Sequence, residues 1–269
     1  MLNGDNNGEV RVADDTDFKK LKHLSDDTIG WKQEYCKNNT SVWTRNNENS
    51  NFKMVKVRSV FMDVEGDTLY DVLHDPQYRK TWDHSMIEGF EICAVNPNND
   101  IGYYAMKCPS PLKNRDFVTQ RSWLVLNNEY MIINHSVNHQ KQPPKKGYIR
   151  GVSYFTGYLI RNLGDKVQFT YVSHSDPKGK LPAWAVNKVT HKLAPKVIGR
   201  IHKACKDYSD WKRANNPQFK PWLFPEQMTL PHLDMTQIRP LSDVQAQCVS
   251  SESIDESGLL EDDIDEDDD

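Results

Sequence analysis

Three pairs of strand-like segments, each joined by a few turn-forming residues, restrict this chain to an antiparallel architecture. Residues 90–95 are followed by 103–108 across Asn96-Pro97-Asn98-Asn99-Asp100. Residues 117–126 meet 130–137 across Asn127-Asn128, a pair that tolerates the left-handed backbone of a tight hairpin. Residues 149–160 meet 166–173 across Asn162-Leu163-Gly164-Asp165. Connections this short join strands of opposite direction, because a parallel pair needs a crossover of roughly a dozen residues or more. Upstream lie strand candidates at 31–36, 42–45 and 52–62. Helix candidates cover 17–24 and 68–74, the second ended by Asp75-Pro76, and 77–83 reads as helix or turn. At the far end, Val186, Val189, Leu193, Val197, Ile201, Cys205 and Tyr208 recur at helical spacing, and Lys188, Lys192, Lys196, Arg200 and Lys203 form a basic ridge beside them. Pro182 sits near a first turn, where proline is tolerated. Pro195 is interior; it removes a donor and crowds the carbonyl of His191, so a kink is expected there. Helices early and last with strands between predict an α+β fold, a curved antiparallel meander gripping one long C-terminal helix.

Charge divides the chain. Up to Arg239 there are 34 Lys and Arg against 26 Asp and Glu; from Pro240 onward there are 12 acids and no base. That predicts four stretches: a disordered lead (1–16), a folded body (17–212), a Pro- and aromatic-rich strap packed on it (213–239) and a disordered acidic tail (240–269). Phe219, Trp222, Leu223 and Phe224 are expected to anchor the strap. No secretory signal and no apolar run of about 20 residues is present. Five scattered cysteines without CxxC spacing fit reduced thiols in a cytoplasmic protein.

Catalytic signatures are missing: there is no Gly-rich phosphate loop, no GxSxG elbow and no HExxH. Neither an enzyme nor a cofactor is expected, and nothing suggests nucleic acid. His135 and His139 read as surface or hairpin-end histidines, since four residues of strand hold them too far apart to share a metal. Asp63, Glu65, Asp67 and Asp71 cluster at a helix start, where acids favour the helix dipole. Arg79 and Asp83 are four apart around Trp82 and pair if that turn is helical. Such a pair is either a surface contact worth under ~1 kcal/mol or an internal fork that grips phosphate at two points. Spacing leaves both open.

The blocks LYDVLHDPQYRKTWD (69–83), YYAMKCPSPLKNRDFV (103–118) and DPKGKLPAWAVNKVTHKLAPK (176–196) resemble those of the START family, the StAR-related lipid-transfer domains. Order and spacing agree from about residue 17 to 212. The LKNRD block, the KPWLFPEQ strap and a tail carrying SIDES are most similar to a branch that transfers phosphatidylcholine and phosphatidylethanolamine. The resemblance implies a helix-grip fold, a curved sheet around a hydrophobic tunnel closed by the C-terminal helix, with one lipid inside. It also implies that Arg79 and Asp83 handle the headgroup phosphate. At the positions that enclose choline in relatives stand Leu73, Tyr104, Met106, Phe117, Tyr154 and Ser173. Only Tyr104, Phe117 and Tyr154 are aromatic, so a thinner cage is expected to admit ethanolamine as well as choline.

From these readings Tyr104, Phe117 and Tyr154 join Arg79 and Asp83 at the headgroup. Leu73, Met106, Ser173, Val189, Leu193 and Val197 are expected to line the cavity, and Pro195 to hinge the lid. The basic ridge is expected to dock transiently on membranes, and the acidic tail to compete with it. Ser253, followed by Asp255 and Glu256, is a candidate phosphorylation site. A monomeric carrier of one phospholipid is the expectation. A lipid sensor without transfer and a helix-grip enzyme are its rivals.

Overall fold

The computed structural model describes residues 8–47, 50–242 and 254–261. Helix α1 (Asp15–Asp26) is followed by β1 (Lys32–Lys37), β2 (Thr40–Asn47) and β3 (Ser50–Phe61). Two short helices come next, α2 (Gly66–His74) and α3 (Pro76–Trp82). The central meander is β4 (Met86–Asn96), β5 (Asn99–Met106), β6 (Asn114–Leu126) and β7 (Glu129–Ser136). After the brief β8 (Asn138–His139) and β9 (Tyr148–Arg150) comes a long hairpin of β10 (Val152–Asn162) and β11 (Val167–Asp176). The closing helical run is α4 (Ala183–Lys188), a π-helical turn (Val189–Leu193) and α5 (Ala194–Ala214); a strap then leads to β12 (Ile238–Arg239).

The main sheet runs β1-β2-β3-β11-β10-β7-β6-β5-β4. Each neighbouring pair along this path is antiparallel, and β9 adds to β6 in parallel. The β10–β11 hairpin thus sits mid-sheet and welds the two meanders together. Turn chemistry sets the register. Asn127 and Asn128 have φ of 51° and 61°, and Asn38 and Asn39 have 49° and 59°, the mirror-image turn that matches strand twist. The β4–β5 turn is tighter than expected, because Asn96 already pairs with Asn99.

Strand alternation gives the sheet two faces. On the outer face α1 lays Phe18, Leu21 and Leu24 against Met131, Phe155, Leu159 and Val172. Asp14 caps this helix and forms a reciprocal capping box with Asp17, so it starts earlier than Asp17. The concave face carries Val57, Trp123, Ile132, Ile160 and Phe169, and against it pack Leu69 and Val72 of α2 and Ile198, Ile201, Cys205 and Tyr208 of α5. Burial of such side chains contributes roughly 1.5–3 kcal/mol each.

Several expectations change. The lead is tied down from Glu9, whose carbonyl meets His135 Nε2 at 2.9 Å, and Arg11 N–H donates to Gln120 Oε1 at 3.1 Å. His135 and His139 are buried, not surface residues, because the lead and β12 cover them. Of the four residues expected to anchor the strap, Trp222 is buried, and Phe219, Leu223 and Phe224 are exposed. Trp222 Nε1 donates to Asp71 Oδ1 at 2.7 Å, so Asp71 is a buried acceptor and not a helix-cap acid.

His74 lies at the heart of the concave core. Its ring meets Tyr70 and Trp123 edge-on and stacks on Trp222, and neither ring nitrogen has a hydrogen-bond partner among the described residues. Burial holds its pKa well below the ordinary 6.5. Native His74 therefore stays neutral while the unfolded chain takes up a proton near that value, so stability present above pH 6.5 is lost as pH falls below it. The expected slope from His74 alone approaches ~1.4 kcal/mol per pH unit. Urea unfolding at pH 7.5 and 5.5 should show a clearly smaller acid loss in His74→Phe than in the wild type; equal losses would contradict this assignment.

Candidate functional site

The site is built on α3. Asp75 caps this helix, accepting from Gln77 N and Tyr78 N at 3.1 Å each. The same carboxylate takes Lys212 Nζ at 2.8 Å and Tyr208 Oη at 3.2 Å from α5. Tyr78 Oη donates to Ala204 O at 2.7 Å. With both ends of the contact pinned, one helical turn brings Arg79 beside Asp83, the residue that closes α3.

Arg79 Nη1 lies 3.5 Å from Asp83 Oδ2, and Nη2 donates to Leu73 O at 3.2 Å. The guanidinium also sits over the Trp82 ring at 5.2 Å. Tyr104 Oη donates to Asp83 Oδ2 at 3.0 Å. Burial, then the Asp83 carboxylate, push the Tyr104 hydroxyl well above its ordinary pKa, so it remains a donor. Both charged side chains are largely but not wholly covered, 22% and 13% exposed, which places this pair between a surface bridge and a sealed one. Arg79 has more N–H donors than these partners use, so the fork keeps donors for an anion.

Beyond the clasp, the concave face carries Tyr158 and Tyr171, whose rings are 5.2 Å apart. Tyr158 is near enough to Tyr104 to add to its shift. Tyr104 and Tyr171 are half-buried, and burial raises both hydroxyls. A hydroxyl ladder runs beside them on β10 and β11: Ser153 to Thr156 at 3.0 Å, Thr156 to Ser173 at 3.2 Å and Ser173 to Ser175 at 3.0 Å.

Other expected members fall differently. Phe117 pairs with Tyr104 across β5–β6, and its ring packs so closely on Gly151 that a Cβ there would lie 2.4 Å from Cε1. Tyr154 leaves the cage. The β10 strand bulges between Ser153 and Phe155, and the Tyr154 ring lies 4.8 Å from His174. His174 pairs with Phe155, a member of the α1-side core, so Tyr154 faces that side. Tyr158 and Tyr171 were readable from alternation with Ile160 and Phe169 but were not singled out. Leu73 is closed into the core, Met106 is half-buried opposite Arg115, and Ser173 joins the ladder.

In the closing helical run, Leu193 and Val197 are half-buried, and Val197 touches the concave core. Ile198, three residues before Ile201, is fully buried where Val197 is half-buried. The π turn immediately precedes Ala194 and Pro195, the residue expected to hinge the lid. The Val189 side chain and Ser253 lie outside the described residues. Lys192, Lys196 and Lys203 are exposed and Arg200 half-buried. Lys188 is not a free ridge member, since its Nζ is 3.0 Å from Glu261.

A cavity of about 580 Å³ opens between the end of α5, the strap and the β4–β6 end of the sheet, with His74, Asp100, Arg121, Trp123, Trp211 and Trp222 among its walls. Arg121 is held there by both oxygens of Asp100. None of the site residues expected from sequence lines this cavity.

A curved antiparallel sheet with a C-terminal helix laid in its concavity defines a helix-grip architecture. The chain belongs to the START domain family, which matches residues 11–212. It is 46% identical to mouse START domain-containing protein 10 over 255 residues, covering 94% of this chain and 86% of the mouse protein. It is 30% identical to mouse phosphatidylcholine transfer protein over 158 residues, covering 57% of this chain and 73% of that protein. The crystal structure of human STARD10 superposes with a TM-score of 0.81 at 45% identity, covering 86% of this chain and 95% of that one.

Tyr104→Phe should remove one donor from the Asp83 carboxylate and leave Arg79 in place. Hydrogen bonds to charged groups contribute ~1.5–3 kcal/mol, so the urea-unfolding free energy should fall by about that much, with no change in the far-UV circular dichroism spectrum.

Proposed function

We propose that the chain is a phospholipid carrier that encloses one phosphatidylcholine or phosphatidylethanolamine and moves it between membranes. The observation that carries this reading is the Arg79–Asp83–Tyr104 clasp beside a concave face that helices cover only in part. Lipid transfer is also what the names of two relatives, phosphatidylcholine transfer protein and StAR-related lipid transfer protein 7, describe.

The physical demand on a carrier is severe. Each acyl methylene gains ~0.8 kcal/mol on leaving water for hydrocarbon, so the protein must replace the bilayer's apolar contacts while satisfying one zwitterionic headgroup. In this reading Arg79 takes the phosphate as a fork, and Asp83 and Tyr104 fix its orientation. Aromatic faces from Tyr104, Phe117, Tyr158 and Tyr171 attract the cationic end, with cation–π contacts of ~0.5–2 kcal/mol each. The hydroxyl ladder offers acceptors to an ethanolamine N–H. No bond is made or broken in this process. The exposed Lys192, Lys196 and Lys203 supply docking to anionic surfaces at ~1 kcal/mol each.

Native mass spectrometry of protein purified from cells should show one phospholipid per chain. Arg79→Ala should lower vesicle-to-vesicle phosphatidylcholine transfer by about tenfold or more, the loss expected when a charged hydrogen bond of ~1.5–3 kcal/mol is removed, while the fold is retained. Binding without exchange would favour a lipid sensor. Turnover of the bound molecule would favour an enzyme.

A further inference from the structure

Arg115 is among the largest fully buried side chains in the molecule. Its guanidinium donates to three backbone carbonyls: Nη1 to Lys113 at 2.6 Å, Nε to Pro177 at 3.2 Å and Nη2 to Lys178 at 3.2 Å. Carbonyls are neutral, and a buried cation needs an anion. The anion comes from the far end of the chain, where Glu256 Oε2 accepts from Arg115 Nη2 at 2.5 Å. The second oxygen, Oε1, accepts from the Lys113 backbone N–H at 2.8 Å. Glu256 is itself only 3% exposed, so this is a built carboxylate pocket and not a surface bridge.

The residues around Glu256 are held as an extended peptide. Lys180 N–H donates to Ile254 O at 3.1 Å, and Glu256 N–H donates to Lys180 O at 3.0 Å, a parallel β-bridge centred on Lys180 and Asp255. Gly179 has φ +73°, and a Cβ there would come 3.1 Å from Ile254 O, so this loop is shaped to let a second backbone approach. Further along, Trp184 Nε1 donates to Leu259 O at 2.8 Å, and Lys188 Nζ meets Glu261 at 3.0 Å. Trp184 and Lys188 belong to α4, the first segment of the closing helical run.

We propose that Lys113, Arg115, Lys180, Trp184 and Lys188 form a binding groove for an extended acidic peptide keyed to one glutamate. Residues 254–261 of this chain are its occupant, and by filling it they clamp α4 to the loop before it. Recognition uses the elements of strand addition: backbone pairing gives affinity, and a side-chain pocket gives selection. The tail thus acts through a specific carboxylate at the base of the closing helix. Among the described residues, the ridge meets the tail at Lys188, through Glu261. The groove stands on these contacts alone; its effect on lipid exchange rests on the carrier reading above.

Hydrogen exchange read by mass spectrometry on the full chain tests the groove without any lipid assay. In Glu256→Gln, which keeps shape and removes charge, and in Glu256→Lys, peptides spanning 177–188 should exchange at least tenfold faster than in the wild type. The β6–β7 hairpin should be unchanged, which shows that the fold is intact. A synthetic peptide IDESGLLE added to the Glu256→Lys chain should restore protection, and IDQSGLLE should not. Unchanged exchange at 177–188, or equal rescue by both peptides, would overturn the proposal. Faster exchange at 177–188 together with an absence of lipid transfer by the wild type would leave the groove standing and sink the carrier reading.

Discussion

Strand alternation is the constraint on which the rest of the molecule depends. A curved antiparallel sheet presents two faces that differ in what covers them. The outer face is covered by one short helix, α1, whose Leu21 and Leu24 close a small core, together with the lead and β12. The concave face is wider, and α2 and α5 reach only part of it, packing on Val57, Trp123, Ile160 and Phe169. Tyr104, Tyr158, Tyr171 and the Ser153–Thr156–Ser173–Ser175 hydroxyls lie where that cover runs short. Their mixed character follows from their place. Hydroxyls that satisfy one another can sit in such a place at little cost, where unpaired polar groups could not.

Charges inside this fold are used as pins. Asp75 receives two backbone N–H groups of α3 together with Lys212 and Tyr208 of α5, and so sets the distance between those helices. Asp71 accepts from Trp222 and Lys220 and fastens the strap. Lys56 sits beneath the end of α1, donating to the carbonyls of Leu24 and Ser25. Buried pairs of this kind are weak sources of net stability but costly to break on one side. Their effect is to fix geometry, and the geometry they fix is the position of Arg79 and Asp83 against the sheet.

Local chemistry was legible in the sequence. The asparagine pair at 127–128 announced a left-handed turn and has one, and the three hairpins fall within a few residues of where they were expected. The i,i+4 pairing of Arg79 with Asp83 also followed from spacing. Two kinds of feature were hidden. One is register: the bulge between Ser153 and Phe155 turns Tyr154 toward His174, and a one-residue slip exchanges the faces of a strand. The other is partnership over long sequence separation. Neither Arg115 nor Glu256 carries any mark of the other, 141 residues away, because an ion pair leaves no periodic trace.

A fold that encloses a ligand also needs one element that opens at lower cost than the rest. The sheet does not qualify, since the β10–β11 hairpin ties its halves through continuous ladders. Nor does α5 beyond Ile198, which is held to α3 and the β3–α2 loop by Tyr78, Asp75, and the contact of His202 with Asp63 at 2.6 Å. What remains is α4 with the π turn. It is short, its hydrogen bonding changes pattern at Val189, and Pro195 withholds a donor just beyond. Such a segment is poorly held by its own backbone, so contacts from outside it decide whether it stays closed. The bond from Trp184 to Leu259 and the Lys188–Glu261 pair are contacts of that kind. An acidic tail placed there acts on the weakest joint of the cover, where a small change in binding energy shifts the opening equilibrium most.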